Sequence, residues 1–145
     1  MNLSSCCKID QVLGYYAAGT TKRTSAIVDM QNYEGCLFIA ELGTIIENGT
    51  LDVFVEQHTL NQTSGMARVA TTTVHTVTAA DAALTSSCIL VDVYKPGERY
   101  LQCNITPAVS SAVVLGITAI RYNGRNLPNT TGPIKSTILV SPAEA

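Results

Sequence analysis

The chain has 145 residues, 46% of them hydrophobic and only 14% charged, with a net charge of −2 and a mean hydropathy of +0.22. That length suits one domain, which buries roughly 70% of the surface its unfolded chain exposes and needs no staple. The nine basic residues are scattered from Lys8 to Lys135 without a cluster, which argues against a nucleic-acid partner. No apolar run approaches the roughly 18–20 residues that cross a bilayer, so no membrane partner is expected.

A charged fraction of 14% lies below the roughly 25% usual in soluble domains and suits a protein that works docked to other protein. The opening MNLSSCCKID lacks the basic start and apolar stretch of a signal peptide, so maturation in a cytoplasm is expected. Five cysteines, Cys6, Cys7, Cys36, Cys88 and Cys103, fit that compartment. Three of them lie in apolar runs, where Cys behaves as a small hydrophobe, so buried thiols are expected. A bridge between Cys88 and Cys103 across a hairpin is the alternative.

In chain order, residues 1–10 are polar and aperiodic and read as an arm. A short apolar segment covers 11–18, and 24–30 reads as a short strand. Residues 36–42 are apolar on both faces, as in the middle of a sandwich. Residues 51–58 alternate, with Leu51, Val53 and Val55 on one side and Asp52, Phe54 and Glu56 on the other. The intervening Asn48-Gly49 pair predicts a hairpin. Thr- and Val-rich residues 66–78 favour strand, and 79–84 is the one stretch with helical propensity.

Two runs, 88–94 and 99–105, flank Lys95-Pro96-Gly97-Glu98. Pro presets φ and Gly tolerates positive φ, so a second hairpin is predicted. Its inward face is Ile89, Val91 and Val93 opposite Leu101, Cys103 and Ile105. A third run, 112–122, completes a three-stranded core, 134–140 offers a last strand, and 141–145 is a tail. The whole is an all-β antiparallel sandwich, jelly-roll-like, of seven to nine strands with at most one short helix. The sandwich spans 11–140.

Signals for chemistry are sparse. There are two histidines, His58 and His75, and both read as structural or solvated. Gly14 and Gly19 have P-loop spacing, but Thr20-Thr21 stands where the Lys that contacts phosphate belongs. No G-x-S-x-G elbow is present. Asp52 and Glu56 share a face that glycoside chemistry would use, yet a solvated strand face accounts for them. No catalytic residue, metal ligand or cofactor is assigned. The aromatics are more suggestive: Tyr94 and Tyr100 bracket the 95–99 turn, and Tyr122 stands between Arg121 and Arg125. Tyr and Arg are favoured at protein interfaces.

Three stretches carry a resemblance: residues 28–43 (VDMQNYEGCLFIAELG), 90–100 (LVDVYKPGERY) and 140–145 (VSPAEA). In this order they resemble small virion proteins of tailed bacteriophages, the head decoration or cement proteins. The resemblance implies a non-enzymatic β-sandwich, commonly a homotrimer, that binds the major capsid protein on the outside of the shell and locks neighbouring capsomers. Localisation on the virion capsid surface follows from it. Under that role the contact residues are Leu3, Cys6 and Lys8 in the arm, Tyr94, Lys95, Arg99 and Tyr100 at the turn, and Arg121, Tyr122 and Arg125 behind the last core strand. A phage tail, fibre-base or receptor-binding β-module is the alternative. A sugar-binding or hydrolytic jelly roll built on Asp52, Glu56 and His58 is a further one.

Overall fold

The computed structural model describes residues 2–127 and 132–142. Among them are two helices of four residues each, α1 (Leu3–Cys6) and α2 (Ala79–Ala82), and a run of strands. The strands are β1 (Lys8–Leu13), β2 (Tyr16–Gly19), β3 (Arg23–Thr24), β4 (Val28–Asp29), β5 (Gly35–Ile45), β6 (Thr50–His58), β7 (Ala67–Arg68), β8 (His75–Thr76), β9 (Ser87–Tyr94), β10 (Tyr100–Ala108) and β11 (Ala112–Tyr122).

They form two antiparallel sheets. In one, β1 and β2 run in turn along β11, which pairs with β5, which pairs with β9. In the other, β3 and β4 run along β10, which pairs with β6, and β7 and β8 line the far side of β6. The short pieces share positions, so each sheet has four strand positions. The expected all-β antiparallel sandwich is the observed architecture.

The core is the alternate residues of both inner faces, as a sandwich requires. Phe38, Leu42, Val114 and Ile117 from the first sheet meet Leu101 and Ile105 from the second, all with under 2% of their surface exposed. The inward faces expected for 88–94 and 99–105 are inward, with Ile89 and Val91 packed against the core and Val93, Leu101, Cys103 and Ile105 buried. Cys36 and Cys103 are fully buried, and burial pushes both thiols up to about 12. Cys88 is exposed, and all five cysteines are free.

Both expected hairpins are corrected. β5 and β6 lie in different sheets, and so do β9 and β10, so each turn carries the chain across the sandwich. A two-residue Asn-Gly hairpin needs positive φ at both residues. Here Asn48 alone has it (φ 67), with Gly49 N–H donating to Ile46 C=O at 3.0 Å. At the other turn the left-handed residue is Lys95 (φ 50), not Gly97. Cys88 and Cys103 are therefore not cross-strand neighbours, and β9, β10 and β11 are not one three-stranded sheet.

Other differences are local. Residues 1–10 hold α1 and the first half of β1, whose Lys8 pairs with Arg121. Of 66–78 only β7 and β8 are strand, because the run lies at the sheet edge with just two pairs to each piece. Residues 134–140 form no strand with any described residue. The predicted helix is α2, started by a capping box in which Thr78 Oγ1 accepts from Asp81 N–H and Asp81 Oδ2 accepts from Thr78 N–H. The second helix, α1, was not predicted. The far end of the 141–145 tail, residues 143–145, lies outside the described residues.

Candidate functional site

One end of the sandwich gathers the residues singled out by sequence. Lys8 pairs with Arg121, and Tyr122 lies opposite Gly35, which in turn lies opposite Tyr94. Tyr100 pairs with Asp29 and His58 at the same end of the other sheet. The chain before Lys8, with Leu3 and Cys6 in α1, therefore enters at this end too.

Three turns build the rim, each bent by a non-glycine residue at positive φ: Asn32 (φ 69), Lys95 (φ 50) and Asn123 (φ 52). Asn tolerates that region; Lys95 is held there by its own N–H, which donates to Glu34 C=O at 2.7 Å. Glu34 N–H donates to Tyr122 C=O at 3.2 Å and Arg125 N–H to Asn32 C=O at 2.9 Å, so the turns brace one another. Between them lies an open groove of about 560 Å³ whose lining includes Tyr33, Glu34, Lys95, Glu98, Arg99 and Arg125.

The charges are partly committed. Arg99 makes a bidentate pair with Asp29, Nε to Oδ1 at 2.8 Å and Nη2 to Oδ2 at 2.9 Å, and Nη2 also donates to Gln31 Oε1 at 2.6 Å. That guanidinium holds the Asp29 carboxyl below its usual range. Glu98 accepts from Thr59 Oγ1 at 2.8 Å. Lys95 Nζ stands 5.3 Å over the Tyr94 ring, a cation–π distance. The Arg125 side chain is exposed and has no side-chain partner among the described residues.

Arg121 is corrected as a contact candidate. Arg121 is 8% exposed and faces between the sheets, where its guanidinium pairs with Asp10, donates to Asp29 C=O at 2.7 Å and lies 5.3 Å from the Tyr33 ring. It ties β1, β4 and β11 together. The Tyr122 ring lies over Gly35, where a Cβ would come within 2.2 Å of it, and its hydroxyl donates to Asp92 at 2.6 Å. Partial burial, with that bond, raises its pKa. Arg121 is structural, and Tyr122 is half-buried. Leu3 (55% exposed), Tyr94 (57%), Lys95 and Arg125 remain open to a partner. Cys6, Lys8 and Tyr100 are half-buried.

The residues considered for sugar chemistry are engaged one by one. Asp52 pairs with Arg68 at 2.7 Å, Glu56 accepts from Asn104 Nδ2 at 3.1 Å, and His58 Nδ1 accepts from Leu60 N–H at 2.8 Å. His75 pairs with Asp81 at 2.9 Å on the surface. Sequence reasoning missed Asp10, Asp29, Gln31 and Glu34. The Asn-containing turns at 31–35 and 123–124 were visible signals, but nothing local says that they meet the 95–99 turn.

A scan of protein-family models finds no match to this chain, and a search of curated proteins finds none.

Proposed function

We propose that this protein is a non-enzymatic structural component of a tailed-phage virion that binds the outer surface of the capsid through its loop end and bridges capsid subunits. The observation that carries this reading is the rim: three braced turns present Tyr94, Lys95 and Arg125 around an open groove at one end of a rigid sandwich. Preformed turns lose little conformational freedom on docking, so more of the contact energy is retained. The sequence resemblance in 28–43 and 90–100 falls on two of those turns.

The connectivity supports the same reading. Numbering the eight strand positions along the chain, the sheets run 1-8-3-6 and 2-7-4-5, the order of a jelly roll, an architecture used in viral capsid proteins and in lectins. A capsid clamp gains from many identical copies, each stabilising only the assembled shell. A self-associating subunit, as a trimer, would make several contacts at once.

The test is the copy number in purified particles, by quantitative mass spectrometry against the major capsid protein. A number comparable to that of the capsid protein supports a shell-covering clamp. A few copies per particle would move the protein to the tail or fibre base. A Lys95→Glu, Arg125→Glu chain is expected to fold normally and to lose capsid binding.

A further inference from the structure

Strand β9 is the one long, regular, open edge among the described residues. It pairs with β5 over eight residues without a register shift, and its other side pairs with no described strand. The opposite edge of the same sheet, β1, is broken by a bulge between Gln11 and Leu13. The edges of the second sheet are two-residue pieces. Natural sheets blunt exposed edges with Pro, Lys, bulges or short strands. Within Ser87–Tyr94 there is no Pro, Lys or bulge, and Asp92 is the one charge.

Two apolar cavities lie along this edge, where the sandwich opens. One, of about 370 Å³, is lined by Leu42, Ile45, Leu51, Leu84 and Ile89 beside the start of β9. The other, of about 250 Å³, is lined by Val55, Val69, Val91 and Val93 beside its end. Each exceeds the roughly 150 Å³ that admits a benzene-sized group. A strand laid against β9 would point alternate side chains into them.

The chain carries a segment with the matching need. Residues 134–140 read IKSTILV, with Ile134, Ile138 and Val140 on one face at period 2 and Lys135, Thr137 and Leu139 on the other. They pair with no described strand, and Ile134, Leu139 and Val140 are between 87% and 109% exposed. The four-residue spacing from Ile134 to Ile138 equals that from Ile89 to Val93, the inward residues of β9.

The segment does not reach its own β9 with enough chain to spare. Gly132 (φ 146) lies against β1, where a Cβ would come within 2.0 Å of Ile9 C=O. From β1 to β9 the sheet is three interstrand steps wide, about 14 Å, and crossing it would use about four extended residues. Ile134 would be consumed in the crossing. We propose that residues 134–140 of one copy add as a strand to β9 of a second copy, with Ile134, Ile138 and Val140 entering the two cavities. Main-chain bonds to the edge give affinity and the cavities give register, as in strand addition generally. Each copy gives one segment and receives one, which closes into a cyclic oligomer or a reciprocal pair.

Two experiments test this. In light scattering after gel filtration, the full chain is expected to be a discrete oligomer, and a chain ending at Pro133 a monomer with unchanged far-ultraviolet circular dichroism. A monomeric full chain, or a truncated chain that keeps the oligomer, overturns the proposal. The second test uses Cys88, which stands exposed on the outer face of β9; in an antiparallel addition that sets Ile138 opposite Ile89 and Ile134 opposite Val93, Leu139 stands opposite it. A tagged Leu139→Cys, Cys88→Ser chain mixed with unaltered chain is expected to form an interchain disulfide on mild oxidation. The bond is expected to vanish when the second chain is Cys88→Ser. Its persistence there, or its absence from the first mixture, overturns the proposal.

Discussion

The two sheets share one core and finish their outer faces in opposite ways. On the second sheet, Thr24 Oγ1 donates to Asn104 Oδ1 at 2.8 Å, Asn104 donates on to Glu56, and Gln102 donates to Ser25 C=O at 2.7 Å. Phe54 is roofed by Arg68 at 3.7 Å and Lys22 at 5.2 Å. Its outward side chains are so well covered that Asn104 is fully buried. On the first sheet the outward rows are Ile9, Ile120, Leu37 and Asp92, then Gln11, Thr118, Ile39 and Leu90, held by fewer bonds (Thr118 Oγ1 to Glu41 at 3.4 Å, Tyr122 to Asp92 at 2.6 Å), with Leu90 57% exposed. A face closed by its own hydrogen bonds serves the monomer. A face with a mainly aliphatic centre ending in an open edge strand is what a sheet keeps for a neighbour.

The largest effect is expected where the sheets are tied together. Arg121→Ala removes the link between β11, β1 and β4 and leaves Asp10 unpaired at a partly buried site, so it should cost about 3 kcal/mol in urea unfolding. Next, Asn104→Ala breaks the network on the closed face and strands Glu56 and Thr24. A loss of about 2 kcal/mol is expected, and a loss near zero would mean that the face is not closed by that network. Smaller and opposite in sign is Val109→Gly in the β10–β11 crossing. Val109 sits at φ 66 inside an Ala108 C=O to Ser110 N–H turn of 2.7 Å, a strained place for a β-branched residue. Relief of that strain, less the extra freedom of unfolded Gly, should add about 0.5–1 kcal/mol.

Acid should act through Asp29, whose folded pKa lies below the ordinary 3.8 because Arg99 binds it. Its contribution is present above that ordinary value and is lost as pH falls through the folded one. The pair is more than a third exposed, so the effect is small. Between about pH 6 and about pH 2 the unaltered chain should lose slightly more stability than Asp29→Asn. Least of all, Leu90→Lys on the open face should shift monomer stability by under about 0.5 kcal/mol. By blunting the edge it should still weaken self-association, which equilibrium sedimentation would read.

Period-2 alternation identified β6, β9 and β10 and their inward residues, because side-chain direction is a local property, and apolar runs identified β5 and β11. Neither identified strand partners. Residues 95–98 and 48–49 have the chemistry of turns, and a turn at the end of a sandwich can lead to the next strand of its own sheet or to the facing sheet. Inward residues stay inward either way, so Val93 and Leu101 look the same in a hairpin and in a crossing. At the rim, Lys95, Arg99 and Arg125 were legible as exposed charges beside turns. Arg121 was not separable from them, since its burial depends on Asp10 and Asp29, which lie 111 and 92 residues away in sequence.

Among the successive strand positions only the step from β6 to β7 stays within one sheet. The strand that pairs with β1, β2 and β5 is β11, so the first sheet has no centre until residue 122 is made. Nearly all pairing is long-range, which places the chain among slow folders, where loop closure precedes the contacts that reward it. On the ribosome the strands made earlier must wait unpaired until β11 emerges. The nascent chain thus stays in its most aggregation-prone state until that point, and chaperone supply rather than native stability should set the yield of folded subunits.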